Sequence, residues 1–128
     1  IYANPTHTRD ERTAHWLTLD ERFGRAVSWQ GLDAARATAW QRQGPLFGAP
    51  FYYIEYGIAQ LGSLQLWLRS LEEGPAVAID AYLTALKLGG SRPLPELFKA
   101  AGLEFDFGLE IVGRLAERVE AELAKLPE

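Results

Sequence analysis

Residues 50–62 are the most informative about the fold, and they read Pro50-Phe51-Tyr52-Tyr53-Ile54-Glu55-Tyr56-Gly57-Ile58-Ala59-Gln60-Leu61-Gly62. Apolar residues continue to Leu68, and the span 51–68 carries a single formal charge, at Glu55. Pro50 suits the first turn of a helix, where its missing N–H is not needed. We therefore predict a long helix from Pro50, with three tyrosines and a glutamate in its first two turns. Its polar residues and glycines favour a buried central helix of a soluble protein over a membrane span.

The rest of the chain also predicts helices, and we expect an all-α fold of about six. Thr8 and Glu11 have the spacing of a capping box, which should open a helix that runs to about Phe23. Glycine and proline pairs divide the remainder into segments. Further helices are expected over residues 32–43, 50–73, 76–88, 95–101 and 107–126. The first helix should carry Trp16, Leu19 and Phe23 on one face, and the second should turn Ala35 or Ala39 and Trp40 inward. The last helix is expected to be amphipathic, with the apolar residues Ile111, Leu115, Val119, Leu123 and Leu126.

Composition limits the function classes. The 128 residues suffice for one domain, 1–128, and carry a net charge of −4. This charge, without clustered Lys and Arg, argues against a nucleic-acid surface. The chain has no cysteine, which excludes disulfides and thiolate metal sites. Residues 1–12 lack the apolar core of a signal peptide, so we expect a cytoplasmic protein. Because the first residue is Ile rather than Met, we expect a fragment of something longer.

The two histidines, His7 and His15, do not predict a metal site. They are eight residues apart, a spacing that does not bring them onto one tight site, and no His-Glu-x-x-His motif occurs. We expect both to be surface or helix-packing residues. No metal ligands are therefore assigned to this chain.

The tyrosines of residues 50–62 are the residues best suited to chemistry. Tyr53 and Tyr56 are three apart, and Gly57 and Gln60 extend the same face of the predicted helix. Two phenol O–H groups on one rigid helix can donate hydrogen bonds to an oxyanion, and Gly57 leaves room for a substrate backbone. Alternatively, the tyrosines are core aromatics whose O–H groups find buried partners. Glu55 should either meet an Arg or face a wet cleft, because a buried carboxylate is costly unless paired.

Nearly the whole chain resembles one known family, the oligoendopeptidase F-type zinc metallopeptidases of the thimet oligopeptidase group. The resemblance is to the C-terminal end of their catalytic domain. The matching stretches are Tyr2–Thr8, Glu11-Arg12, Trp16, Trp40–Gln43, Pro50–Gly57, Ala59–Gly62, Leu64–Trp67, Leu88–Ser91, Leu94, Leu97-Phe98, Ala101–Leu103 and Phe105. Long motifs of rare residues make chance a poor explanation.

The resemblance implies a role in peptide hydrolysis. The chain would be the C-terminal helical part of a larger zincin-like catalytic domain that hydrolyses short peptides. Zinc would be held by His-Glu-x-x-His and a downstream glutamate in the N-terminal remainder, so this chain alone should bind no zinc and be inactive. The resemblance implies that Tyr53 and Tyr56 are catalytic donors to the tetrahedral intermediate. The residues implied to bind substrate are Tyr52, Glu55, Gly57 and Gln60.

One position departs from the family's pattern. The family usually has a histidine in the loop where this chain has Gln43-Gly44-Pro45-Leu46-Phe47, and Pro45 occupies the histidine's place. Proline has neither a side-chain donor nor an N–H. Either the alignment slips here, or the parent protein is a weakened or inactive peptide-binding relative.

A third hypothesis is a separate helical subunit that pairs with a zinc-bearing chain. The long apolar helix motivates it, because large bare apolar surfaces seek partners. The same surface could make the fragment self-associate. Neither a nucleic acid nor a membrane is an expected partner.

Overall fold

A computed structural model describes residues 3–24 and 26–127, and every regular element within these ranges is helical. The all-α prediction is thereby confirmed. The helices are α1 (Arg9–Phe23), α2 (Asp33–Thr38), a 3-10 helix (Ala39–Arg42), α3 (Pro45–Gly48), α4 (Ile54–Glu72), α5 (Pro75–Leu88), α6 (Leu94–Ala100) and α7 (Leu109–Leu123). The described α-helices number seven rather than six, because α3 forms a single turn where a loop was expected. Tyr2 lies outside the described residues.

The chain divides into two compact units, residues 1–53 and residues 54–128. The boundary falls inside the stretch that opened the sequence analysis, between Tyr53 and Ile54. The prediction of one domain over 1–128 stays a prediction.

The first unit begins with the predicted capping box. The Glu11 N–H donates to Thr8 Oγ1 at 3.2 Å, and the Thr8 N–H donates to Glu11 Oε2 at 2.6 Å. The end of α1 at Phe23 is also as predicted, with Gly24 as its cap. Two contacts hold α1 and α2 together: Trp16 Nε1 donates to the Arg36 carbonyl at 2.9 Å, and Arg36 Nε donates to Asp20 Oδ2 at 2.7 Å.

The second predicted helix is shorter than expected. The α-helical part ends at Thr38 and continues as the 3-10 helix, so the prediction of one helix over 32–43 was wrong. The Thr38 hydroxyl donates to the Ala34 carbonyl at 2.9 Å, a bond of a kind that bends helices. Trp40 is buried as predicted, with 6% of its surface exposed. Ala39 is half-buried, whereas Ala35 is exposed.

The start of α4 differs from the prediction. The helix begins at Ile54 rather than Pro50. Phe51 has a φ of 66°, in the left-handed region, which a right-handed helix cannot include. Tyr52 and Tyr53 therefore precede α4.

The burial of α4 also corrects the prediction of a central buried helix. Its buried residues are Gly62 and Leu68, in the middle and the second half of the helix. Ile54 and Tyr56 in the first turns are exposed. None of the described helices is both long enough and apolar enough to cross a membrane.

The core of the second unit joins α4 to α7. Leu68 of α4 packs with Ile111 and Leu115 of α7, and these three side chains are buried. The Gln65 side chain fastens α4 to the segment before α7, because its amide donates to the Glu104 carbonyl at 3.0 Å and its oxygen accepts from the Glu104 N–H at 2.9 Å.

The boundaries of α5 and α6 follow the glycine and proline signals, and α7 is shorter than expected. Gly89 caps α5 and Gly102 follows α6, both with positive φ, as the sequence predicts. Leu123 ends α7 and is exposed, as is Leu126. Both were expected on the apolar face of the last helix, and that part of the prediction was wrong.

Replacing Ile111 by Ala should destabilise the second unit by about 2–5 kcal/mol, because Ile111 is 2% exposed and the change leaves a cavity. Leu109→Ala is the matched control on the same helix. Leu109 is 94% exposed, so the free energy of unfolding should change by no more than about 0.5 kcal/mol. Urea denaturation followed by circular dichroism checks both; equal effects would contradict this account of the core.

Candidate functional site

The six predicted site residues fall on both sides of the boundary between the units. Tyr52 and Tyr53 belong to the first unit and precede α4. The other four lie in the first two turns of α4: Glu55, Tyr56, Gly57 and Gln60. The helical spacing of three residues that related Tyr53 to Tyr56 in the sequence therefore does not apply, because only Tyr56 is in the helix.

Tyr53 is held by a side chain of its own unit. Its hydroxyl donates to Gln43 Oε1 at 2.6 Å. A phenol has one O–H to donate, so this bond uses the donor capacity that a substrate oxygen would need. The Gln43 oxygen marks a place beside the phenol where an acceptor atom can lie.

The tyrosines of this segment are too exposed to be aromatic residues of a core in this chain. The exposed fractions of Tyr52, Tyr53 and Tyr56 are 52%, 44% and 65%. Phe51, at 72%, is also exposed. The segment thus presents aromatic surface and phenol groups on the outside of the chain.

Glu55 is exposed, so the energetic argument that a buried carboxylate needs a partner does not apply to it. Its place in the first turn of α4 has a structural explanation, because a negative charge is stabilised by the partial positive charge at a helix N-terminus. The residue is therefore accounted for without a ligand. Its assignment to substrate binding stays a prediction.

Gly57 and Gln60 are both exposed. A Cβ atom built on Gly57 would meet a single side-chain atom, Ile54 Cδ1, at 4.0 Å, which is ordinary contact distance. Packing within the chain therefore does not require glycine at position 57. The backbone of α4 at Gly57 is therefore accessible to a group that does not belong to this chain.

Pro45, in the place of the family's histidine, is the first residue of α3. It supplies the fixed φ that suits a first helical turn and no side-chain donor. The turn carries Phe47 against Trp40, with 5.9 Å between the ring centroids. The loop is thus ordered by packing, and position 45 has no hydrogen-bonding side chain to offer.

The residues described do not fit a zinc site. Within 3–24 and 26–127, no group of three or more His, Cys, Asp or Glu side chains could hold a metal ion. His7 and His15 line one cavity of the first unit, and His7 Nδ1 is hydrogen-bonded to the Asn4 carbonyl. We assign no step of a reaction to a metal held by these residues.

Two features of the structure were missed by sequence reasoning. Gln43 as the partner of Tyr53 is one; the two residues are ten apart across a loop, so no periodicity links them. The other is the cavity beside Arg12 and Trp40, whose walls come from α1, from the segment before it, from the 3-10 helix and from α3. Glu11-Arg12 and Trp40 were noted as parts of matching motifs, but nothing in their spacing placed them together.

Comparison with known proteins gives one match. The family model of peptidase family M3 matches residues 4–112. No curated protein and no solved structure matches the chain. The matched range covers parts of both units and includes all six candidate site residues. Because the match covers most of the sequence, the chain belongs to peptidase family M3, a family of zinc-dependent metallopeptidases.

Proposed function

We propose that this chain is the C-terminal part of the catalytic domain of an oligoendopeptidase F-type peptidase, which hydrolyses short peptides. The family match supports peptide hydrolysis, and the motifs around Pro50–Gly57 support the narrower group. The observation that carries the proposal is that the tyrosines of this segment, within the matched range, are exposed rather than buried. Exposed phenols on an M3 segment suit a wall of a substrate cleft.

In this proposal Tyr53 and Tyr56 donate hydrogen bonds to the peptide, and Tyr52, Glu55, Gly57 and Gln60 contact it. A phenol O–H aimed at the scissile carbonyl stabilises that oxygen more strongly as it gains negative charge in the tetrahedral intermediate. Tyr53 would exchange the Gln43 oxygen for the substrate oxygen while keeping its proton. This exchange replaces one acceptor by another.

The zinc of the proposed enzyme is held by residues outside this sequence. When bound, it supplies a polarised water as the attacking group. The remainder of the peptidase, in the same polypeptide or as a separate zinc-bearing chain, is therefore the proposed partner, together with short peptides. We propose that the isolated chain is inactive and can self-associate. We also propose that the peptidase is cytoplasmic and that neither a nucleic acid nor a membrane is its partner.

A second candidate function is peptide binding without hydrolysis. Pro45 favours it, because the resemblance places one of the family's transition-state donors at this position and proline has no donor. The parent protein would then be a weakened or inactive relative.

Tyr53→Phe and Tyr56→Phe, in the intact zinc-loaded peptidase, should each lower kcat more than they raise KM. Loss of one oxyanion donor lowers the rate on the order of 100-fold to 1,000-fold. Steady-state kinetics on a short fluorogenic peptide measures the effect. The control is Tyr82→Phe on α5, an exposed tyrosine outside the segment, which should leave kcat unchanged. An unchanged kcat in both site variants would contradict a role of these tyrosines as hydrogen-bond donors in catalysis.

Gly57→Ala should separate stability from function. Alanine is favoured over glycine inside a helix by about 1 kcal/mol, and the new Cβ has room, so the isolated chain should become more stable. If a peptide backbone passes Gly57, the same methyl should reduce kcat/KM in the intact peptidase. Gly113→Ala is the control, since its Cβ would also have room, with nothing within 4 Å, and it lies in α7. Full activity in both variants would contradict substrate contact at Gly57.

Pro45→His should raise peptide hydrolysis by the intact protein if position 45 limits catalysis. The histidine would restore the side-chain donor that proline lacks. The comparison is with Pro45→Ala, which removes the ring but adds no donor. If histidine gives no more hydrolysis than alanine, the absence of a donor at position 45 is not what limits the enzyme.

A further inference from the structure

A cavity of about 480 Å³ lies in the first unit. Its volume is in the range of small-molecule sites. The walls combine apolar and titratable side chains, and the residues that line it are Ala3, Asn4, His7, Glu11, Arg12, His15, Trp16, Leu19, Trp40 and Leu46. None of the residues assigned to peptide hydrolysis is among them.

Among residues 3–24 and 26–127, three of the lining side chains carry a buried nitrogen for which no hydrogen-bond partner is found. These atoms are His7 Nε2, Arg12 Nε and Trp40 Nε1. Trp40 is 6% exposed, so water does not compensate its indole N–H. Buried polar groups in proteins almost always have partners, so these three nitrogens leave hydrogen-bonding capacity that a bound group can use.

Arg12 brings an uncompensated positive charge to this cavity. Its guanidinium carbon lies 5.2 Å from the centroid of the Trp40 ring. In the described part of the chain it forms no ion pair, whereas Arg36 of the same unit is paired with Asp20 at 2.7 Å. A half-buried guanidinium without a carboxylate favours an anionic ligand.

Glu11, the neighbouring acidic residue, does not neutralise Arg12. Its carboxylate accepts from the Thr8 N–H and from the Thr8 hydroxyl, at 2.6 and 3.0 Å. The backbone bond from Thr8, and then the side-chain bond, hold the pKa of Glu11 below its ordinary value. Glu11 is thus committed to the cap of α1.

His7 offers an acceptor to the same cavity. Its Nδ1 is bonded to the Asn4 carbonyl, which can only accept, so Nδ1 carries the proton and the neutral ring has a lone pair on Nε2. The cavity therefore combines two N–H donors, on Arg12 and Trp40, with one acceptor and with the apolar side chains of Leu19 and Leu46.

We propose that this cavity binds a carboxylate that is attached to an apolar residue and a neighbouring amide, as in an N-acylated amino acid or the end of a peptide chain. The carboxylate accepts from Arg12 and Trp40, and the amide N–H donates to His7. Because all three nitrogens are buried without the ligand, the side chains of Arg12, His7 and Trp40 adjust to expose them when it enters. The inference does not depend on the roles of Tyr53 and Tyr56.

The test is a titration of the ¹⁵N-labelled chain with N-acetyl-leucine and, separately, with N-acetyl-leucinamide. The four tryptophan indole N–H signals are resolved by NMR, and Trp40→Phe identifies the signal of Trp40. We expect the acid to shift the Trp40 signal saturably and to bind about tenfold more tightly than the amide, because a charge-assisted bond is lost in the amide. The signal of Trp67, in the second unit, should not move.

Arg12→Gln should weaken binding of the acid about tenfold and leave the amide unaffected. The control is Arg22→Gln on the same helix, because Arg22 also stacks on an aromatic ring, that of Phe23 at 4.8 Å, but does not line the cavity. A peptide blocked at both ends with one internal glutamate distinguishes an acidic side chain from a chain terminus as the source of the carboxylate. We expect it to bind more weakly than N-acetyl-leucine, and equally tight binding would contradict a site for a chain terminus.

Three further results would overturn the proposal. One is equal binding of acid and amide to the unmodified chain, which needs no variant to fold. Another is a Trp40 signal that stays in place while circular dichroism shows the chain folded. The last is equal loss of binding in the Arg12 and Arg22 variants.

Discussion

The backbone of Phe51 determines where the candidate site residues lie. A φ of 66° is unfavourable for a residue with a side chain and cannot be part of a right-handed helix. The chain therefore turns at residues 51–53, and α4 starts only at Ile54. Tyr52 and Tyr53 are placed on the turn and Tyr56 on the helix. Backbone strain of this kind concentrates at functional sites, where the surrounding structure maintains it.

Local signals in the sequence predicted most of the helix ends, because each depends on neighbouring residues alone. Thr8 and Glu11 form the expected capping box. Gly89 and Gly102 take the positive φ that a helix end favours. Pro50 gave the wrong start for α4, since proline fixes its own φ but does not fix that of Phe51. The chain turns before the helix that Pro50 was expected to open.

Burial was harder to predict than helix ends, because it depends on which elements meet. The apolar run 51–68 indicated a buried helix, yet the buried residues of α4 are Gly62, where Phe98 of α6 approaches, and Leu68, which packs against α7. Glu55 was expected to pair with an Arg or to face a wet cleft, because this turn of the helix was assumed to be buried. The Glu55 side chain is instead exposed. For the site, the resemblance identified residue types, whereas the bond from Tyr53 to Gln43 depends on a loop conformation that no sequence period encodes.

The glycines of α4 show how packing and function can be told apart along one helix. A Cβ on Gly62 would lie 3.0 Å from Cζ of Phe98, so the approach of α6 explains the glycine there. At Gly57 the nearest side-chain atom would be 4.0 Å away, and a helix interior favours alanine over glycine by about 1 kcal/mol. The fold of this chain thus accounts for Gly62 and leaves Gly57 without a structural reason. Gly57 follows Tyr56 directly, and the proposed passage of a peptide backbone would account for the absence of a side chain there.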